Sequence, residues 1–231
     1  MDFPDLHPWD LDYPSARALQ ERLAGSLEIH RALPSWSTVA AADVSYNKYD
    51  PDLFAAVVVL DATTFTVIER VGLKAKATFP YVPGMLSFRE APAVLECFRR
   101  LATTPDVVLC DGQGYAHPRR LGLASHIGLW LKIPTIGCAK SRLCGEYVEP
   151  RSRRGSRSDL VDGDETIGVV LRTRSKVKPL FVSVGNRIDL ESSVRVVLAS
   201  APKYRLPQAS RLAHEHVNEL RREALCSPCD K

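Results

Sequence analysis

The run Val107-Val108-Leu109-Cys110-Asp111 constrains the fold of this chain more than any other stretch. A short apolar run bounded by turn residues reads as a buried strand. Here it ends in a carboxylate, and Gly112 and Gly114 clear space around that group. Sites in open α/β sheets form beyond the carboxyl ends of strands. Two polar clusters follow, His117-Pro118-Arg119-Arg120 and Lys140-Ser141-Arg142. An acid beside so much positive charge points to metal-assisted chemistry on a phosphate; a turn-capping Asp is the alternative.

The surrounding pattern supplies the rest of the sheet. Residues 13–27 carry Ala16, Leu19, Leu23 and Leu27 near one helical face. Val39–Tyr46, Leu53–Leu60 and Phe65–Leu73 read as three strands joined by short turns, an antiparallel meander. A helix over 86–102, the 107–111 strand, a helix over about 118–132 and the strand Pro134–Ala139 alternate as parallel crossovers do. Residues 150–163, with Arg151, Arg153, Arg154 and Arg157, read as an exposed basic loop. Thr166–Leu171 and Leu180–Val184 are the last strands, and helices near 189–200 and 208–224 close the chain. The expected fold is α/β, with a mixed central sheet flanked by helices in one domain over residues 1–231 and a flexible tail from 225.

Composition sets bounds on this reading. The 231 residues are 45% hydrophobic and 25% charged, enough for a sizeable core, and the net charge is only +4. So mild a charge does not by itself argue for a nucleic-acid partner; its distribution has to. No stretch approaches the ~18 apolar residues of a membrane span. Met1-Asp2-Phe3-Pro4-Asp5 lacks the basic and apolar regions of a signal peptide, so a cytoplasmic location is expected. The six cysteines sit mostly in apolar runs, as buried thiols of a reducing compartment do. Cys226-Ser227-Pro228-Cys229 has ligand spacing, but no second pair completes a zinc site. No feature calls for an obligatory protein partner.

Three acids stand out. Asp43 interrupts the apolar run Val39–Val44, where a buried carboxylate is costly unless it is paired or metal-bound. A bulge or an Arg partner would also account for it. Glu90 shares a helical face with Val94, Cys97 and Leu101, so it points to the core edge; a solvated first-turn Glu is the alternative. Asp111 is the third. His214 borders the apolar stripe Ala213, Val217, Leu220 of the last helix, where a lone histidine is more often structural. Hard oxygen ligands suit Mg²⁺ or Mn²⁺. A strand meander carrying one Asp, followed by a parallel strand carrying another, is the layout of ribonuclease H-like nucleases.

At this point the motifs match a known family. They are Ala42-Asp43-Val44-Ser45, Phe79-Pro80-Tyr81-Val82-Pro83-Gly84 running into Ser87-Phe88-Arg89-Glu90, and Asp111-Gly112-Gln113-Gly114 with His117-Pro118-Arg119-Arg120-Leu121-Gly122 and Ser125-His126. Ala139-Lys140-Ser141-Arg142-Leu143, Tyr204-Arg205-Leu206-Pro207 and Arg211-Leu212-Ala213-His214 complete the set. In these the chain resembles endonuclease V, the deoxyinosine-directed repair nucleases. The resemblance implies a ribonuclease H-like fold and Mg²⁺-dependent hydrolysis, with Mn²⁺ as a substitute. It also implies a nick at the second phosphodiester bond 3′ to hypoxanthine, leaving 3′-OH and 5′-phosphate. By the same resemblance Asp43, Asp111 and Glu90 match the metal site, with His214 and Lys140 as further catalytic groups. Tyr81, Val82, Pro83 and Gly84 match a wedge that fills the gap of a displaced base. Leu86, Gly112, Gly122, Leu123 and Leu143 match a lesion pocket, with His117 beside it. Arg119, Arg120 and Arg142 are candidate phosphate contacts, although an exposed basic surface would look the same. Asn186 departs from the pattern, where many relatives carry His.

DNA containing deoxyinosine is the expected partner, and RNA containing inosine is the alternative. A non-catalytic reader of deaminated bases would lack the acids, and a phosphatase would act on free inosine nucleotides.

Overall fold

A computed structural model describes residues 1–226. Eight strands form one mixed sheet in the order β3-β2-β1-β4-β5-β8-β7-β6. The first ladder is β1 (Thr38–Tyr46), β2 (Asp52–Asp61) and β3 (Val67–Lys76), antiparallel as the meander predicts. The third strand starts later than expected. Asp61 gathers the Thr63 and Thr64 amides, and Phe65 takes a left-handed φ of 59°, so the turn extends past it. β4 (Val107–Cys110) pairs parallel to β1, and β5 (Thr135–Ala139) parallel to β4. α2 (Leu86–Arg100) leads from β3 into β4, and α3 (Leu123–Leu131) joins β4 to β5.

Beyond β5 the sheet turns antiparallel again. β6 (Arg157–Asp162), β7 (Glu165–Leu171) and β8 (Leu180–Asn186) form a second antiparallel ladder, with β8 against β5. Residues 157–162 of the expected basic loop are therefore the edge strand β6. Only Leu160 of its six residues is fully buried, so its apolar signal is weak. Two of the arginines of the 150–163 stretch are also engaged: Arg157 pairs with Glu191, and Arg154 donates to the Leu198 and Ala201 carbonyls.

Helices cover both faces. α2 and α3 bury Val94, Phe98, Ile127 and Trp130 against Ala40, Val57 and Val108 on one side. On the other, α4 (Leu190–Ser200) and α5 (Gln208–Cys226) press Val197, Ala209 and Ala213 onto Ala41, Leu109 and Val182. β2 lies between the two layers, which is why its eight residues Leu53–Leu60 are all buried rather than alternating. α1 (Tyr13–Ala24) is capped by Asp12, which accepts from the Ser15 amide, and packs Ala16 and Leu19 on Phe79, Met85 and Phe88. The strand order and two-sided helical cover make this a ribonuclease H-like α/β fold. α5 continues through the start of the expected tail, and residues 227–231 lie outside the described residues. Among the described residues no helix is long and apolar enough to cross a membrane.

Candidate active site

Parallel register brings the two strand acids together. Ala42 on β1 lies opposite Cys110 on β4, so Asp43 and Asp111 leave the two strands side by side. β1 pairs in unbroken register through Asp43, which rules out a bulge there. Its partner is not an arginine. Asp43 is only 8% exposed, and its Oδ2 lies 2.7 Å from His214 Nδ1 on α5. Asn218 Nδ2 faces His214 Nε2 at 3.0 Å, which leaves the ring proton on Nδ1, donated to Asp43. Glu90, on the second turn of α2, is half-buried rather than solvated and accepts a 2.6 Å hydrogen bond from the Tyr46 hydroxyl. Asp111 pairs with Lys140, which follows β5. Arg205, from the Tyr204–Pro207 motif, donates to the Lys140 carbonyl at 2.9 Å and fixes that backbone.

Asp43, Glu90 and Asp111 line one cavity of about 330 Å³, with Ser45, Tyr46 and Leu123 in its wall. Burial pushes the Glu90 carboxyl up to about 7; the Tyr46 hydrogen bond opposes this, and the charges of Asp43 and Asp111 add to it. Burial also raises Asp43, with Asp111 adding to the effect and His214 opposing it. Among the described residues no three His, Cys, Asp or Glu side chains close into a ligand set. Each acid is instead held by its own partner: His214, Tyr46 or Lys140. The donor chemistry still fits a hard divalent cation. Three carboxylates share one cavity, the charges of Asp43 and Asp111 disfavour an ionised Glu90, and no thiolate is among them.

A second cavity of about 400 Å³ shares Glu90, Asp111 and Leu123 with the first. Tyr81, Pro83, Gly84, Leu86, Gly112, His117, Gly122 and Leu143 line it, together with Lys140 and Arg142. Val82 does not. It turns inward onto the Phe79–Met85–Phe88 cluster, because the tight Val82–Met85 turn points it to the core. Gly84 sits at a φ of +78°, which favours glycine. Its carbonyl accepts from Gln20 Nε2 (3.2 Å), His117 Nε2 (3.0 Å) and Arg119 Nη2 (2.7 Å). Gly122 serves chain packing: a Cβ there would lie 2.3 Å from the Gln113 carbonyl.

The basic cluster is spent on structure rather than left free. Arg119 also donates to Gln20 Oε1 at 2.5 Å, and Arg120 pairs with Asp162 and Glu165, each at 2.8 Å. Arg120 adopts a left-handed φ of 57°, so residues 118–122 form a braced loop and α3 begins only at Leu123, not near 118. Arg142 remains exposed at the cavity, with Nη1 on the Gly145 carbonyl. His117 is 3% exposed; burial, helped by Arg119, lowers it to about 4. It is neutral, with Nδ1 accepting from the Arg119 amide and Nε2–H donating to Gly84. Asn186 is buried and structural, donating to the Gly128 carbonyl and accepting from the Glu28 amide.

Sequence reasoning missed Gln20, which is fully buried, lines the cavity and ties α1 to the Gly84 and Leu121 carbonyls. A polar residue beside Leu19 on an apolar helix face was its one signal. It also missed Gln113, whose Nε2 donates to the Ser141 carbonyl across the cavity wall.

A family model described as Endonuclease V matches residues 21–215. The Endonuclease V of Nostoc punctiforme is 46% identical over 214 residues, 92% of this chain and 97% of that protein. The structure of Endonuclease V from Streptomyces avermitilis superimposes with a TM-score of 0.90 at 41% identity, covering 94% of this chain and 96% of that one. Endonuclease V of Ciona intestinalis, in complex with a 24mer DNA containing an inosine followed by a ribo-adenosine, gives a TM-score of 0.78 at 26% identity, over 90% of this chain and 97% of that one.

Proposed function

The chain belongs to the endonuclease V family, and on that premise we propose that it is a metal-dependent nuclease of deaminated adenine in DNA repair. It draws a hypoxanthine base into the 400 Å³ cavity and hydrolyses the second phosphodiester bond on the 3′ side. The observation that carries this reading is the shared wall. Glu90, Asp111 and Leu123 belong to both cavities, so a base held in one places its backbone beside the acids of the other.

Asp43, Glu90 and Asp111 would hold Mg²⁺, or Mn²⁺ in its place. Such an ion supplies Lewis acidity toward the phosphoryl oxygens and eases proton loss from water. The protein's own groups do the rest. Asp43 accepts from Nδ1 of His214 and Asn218 donates to its Nε2, which together fix the ring beside the acids. Tyr46 holds Glu90 in place. Lys140 steadies Asp111 and sets a fixed cation where charge develops on the phosphate. A water oxygen bonds to phosphorus as the P–O3′ bond breaks, leaving 3′-OH and 5′-phosphate. Tyr81, stiffened by Pro80 and Pro83, fills the stack that the base has left. A poorly paired hypoxanthine is the cheapest base to extrude, which aids selection.

End-labelled strands carrying one inosine test this directly. We expect one Mg²⁺-dependent cut, displaced one nucleotide from the bond adjacent to the lesion. No cut with Mg²⁺ or Mn²⁺ would defeat the reading. A second reading, cleavage of inosine in RNA, is prompted by the ribo-adenosine after the inosine in the Ciona intestinalis complex. Matched DNA, RNA and single-ribonucleotide strands separate the two, since an RNA enzyme needs the 2′-OH.

A further inference from the structure

The Ser125-His126 motif has no place in the mechanism above, yet His126 is fully buried and lies directly behind the base cavity. Its Nδ1 is 3.1 Å from the Ser87 hydroxyl, and Ser87 lines that cavity. Its Nε2 is 2.8 Å from His7 Nε2. Trp9, Trp130 and Phe88 surround the pair with rings.

The proton positions along this chain follow one from another. His7 Nδ1 lies 2.9 Å from the Pro8 carbonyl, which can only accept, so Nδ1 carries the hydrogen. Burial lowers His7 and takes His126 down to about 3, so both rings are neutral. His7 Nε2 therefore carries no hydrogen, and its one lone pair is shared between Trp130 Nε1 at 3.2 Å and His126 Nε2 at 2.8 Å. His126 must then donate through Nε2, which leaves its Nδ1 bare. The Ser87 hydroxyl has to give its only proton to that Nδ1. Toward the cavity Ser87 can present only lone pairs.

Deamination changes the polarity of one ring atom. N1 of adenine is an acceptor, whereas N1 of hypoxanthine carries a hydrogen. We propose that Ser87, held as an obligate acceptor by the His126–His7 relay, reads the N1–H of a lactam purine and so rejects adenine. Two other acceptors at the cavity are less suited. The Gly84 carbonyl already takes three donors, and Gln113 Oε1 is sealed from solvent. Ser87 is the specificity residue, and His126 and His7 are positioning residues. This proposal rests on the reading of the cavity as a base site.

The test compares two strands that differ in one base, hypoxanthine or unsubstituted purine, whose N1 is a bare acceptor. Their Kd values are measured by competition, and kcat is followed on the hypoxanthine strand. Wild-type protein should favour hypoxanthine. Ser87→Ala should shrink that preference about tenfold, the value of one neutral hydrogen bond. His7→Phe keeps an aromatic ring in the cage but releases the His126 tautomer. It should shrink the preference about threefold, with kcat changing less than the Kd ratio. A wild-type protein that cuts inosine but shows no preference overturns the proposal alone. So does a preference that both variants retain. A wild-type protein that cuts no inosine strand removes the functional reading and this proposal with it.

Discussion

The two cavities share a wall but are built in different ways. The acidic one stands on regular structure: Asp43 and Asp111 sit side by side through the Ala42–Cys110 register, and Glu90 comes from a helix turn. The larger cavity is mostly loop: residues 81–86, 111–122 and 139–143, braced from behind by Gln20, His117 and Arg119. Catalytic groups need fixed spacing, which a hydrogen-bonded ladder supplies. A recognition surface needs a shape that no ladder provides, so buried polar side chains hold the loops instead. Damage to the first cavity should cost turnover, and damage to the second should cost selectivity and stability.

The largest effect tests the acidic side. Asp43→Ala and Asp111→Ala should each lower single-turnover cleavage of an inosine strand by at least about 10²–10³-fold. A gel-shift titration should show lesion binding retained. Full turnover in either variant would remove the metal assignment; loss of binding along with turnover would blur the division between the cavities.

Gln20→Ala tests the brace. It strands the Leu121 carbonyl and a contact of Arg119, and should cost about 2–3 kcal/mol in urea unfolding. The KM for the lesion strand should rise while kcat holds. An unchanged KM would mean that the loops keep their shape without α1.

Acid should act through the same bracing layer. His117 and His126 have folded values near 4 and 3, below the ordinary 6.5. The unfolded chain therefore binds more protons between those limits, and stability falls as pH drops below about 6.5. At pH 5 each histidine should cost about 2 kcal/mol. Melting curves from pH 7 to 5 check this, and replacing His126 with an apolar residue should flatten part of the slope.

The smallest expected change is for Tyr81→Ala. Loss of one stacking ring is worth about 1–3 kcal/mol. It should narrow the preference for inosine over undamaged strands with little change in the Mg²⁺ concentration needed for half-maximal cutting. Equal discrimination by variant and wild type would remove the wedge.

Much of the acidic side was legible in the chain because burial makes a carboxylate conspicuous. Asp43 interrupts an apolar strand and Asp111 ends one, and strand alternation and parallel pairing place both at one end of the sheet. The second ladder was less legible. β6 is an edge strand with a single fully buried residue, so nothing in its pattern separates it from a basic loop. Arg119 and Arg120 look like phosphate ligands in sequence. Only their fold neighbours Gln20, Gly84, Asp162 and Glu165 show that they are already occupied.

The amino-acid order alone determined the α/β class, the meander and the acids, since these follow from periodicity and from the cost of burying charge. The tertiary structure decided who holds each acid, which way Val82 turns and how His126 reaches Ser87. Those outcomes depend on contacts between segments far apart in the chain, such as His7 with His126, and no local pattern encodes such a partner.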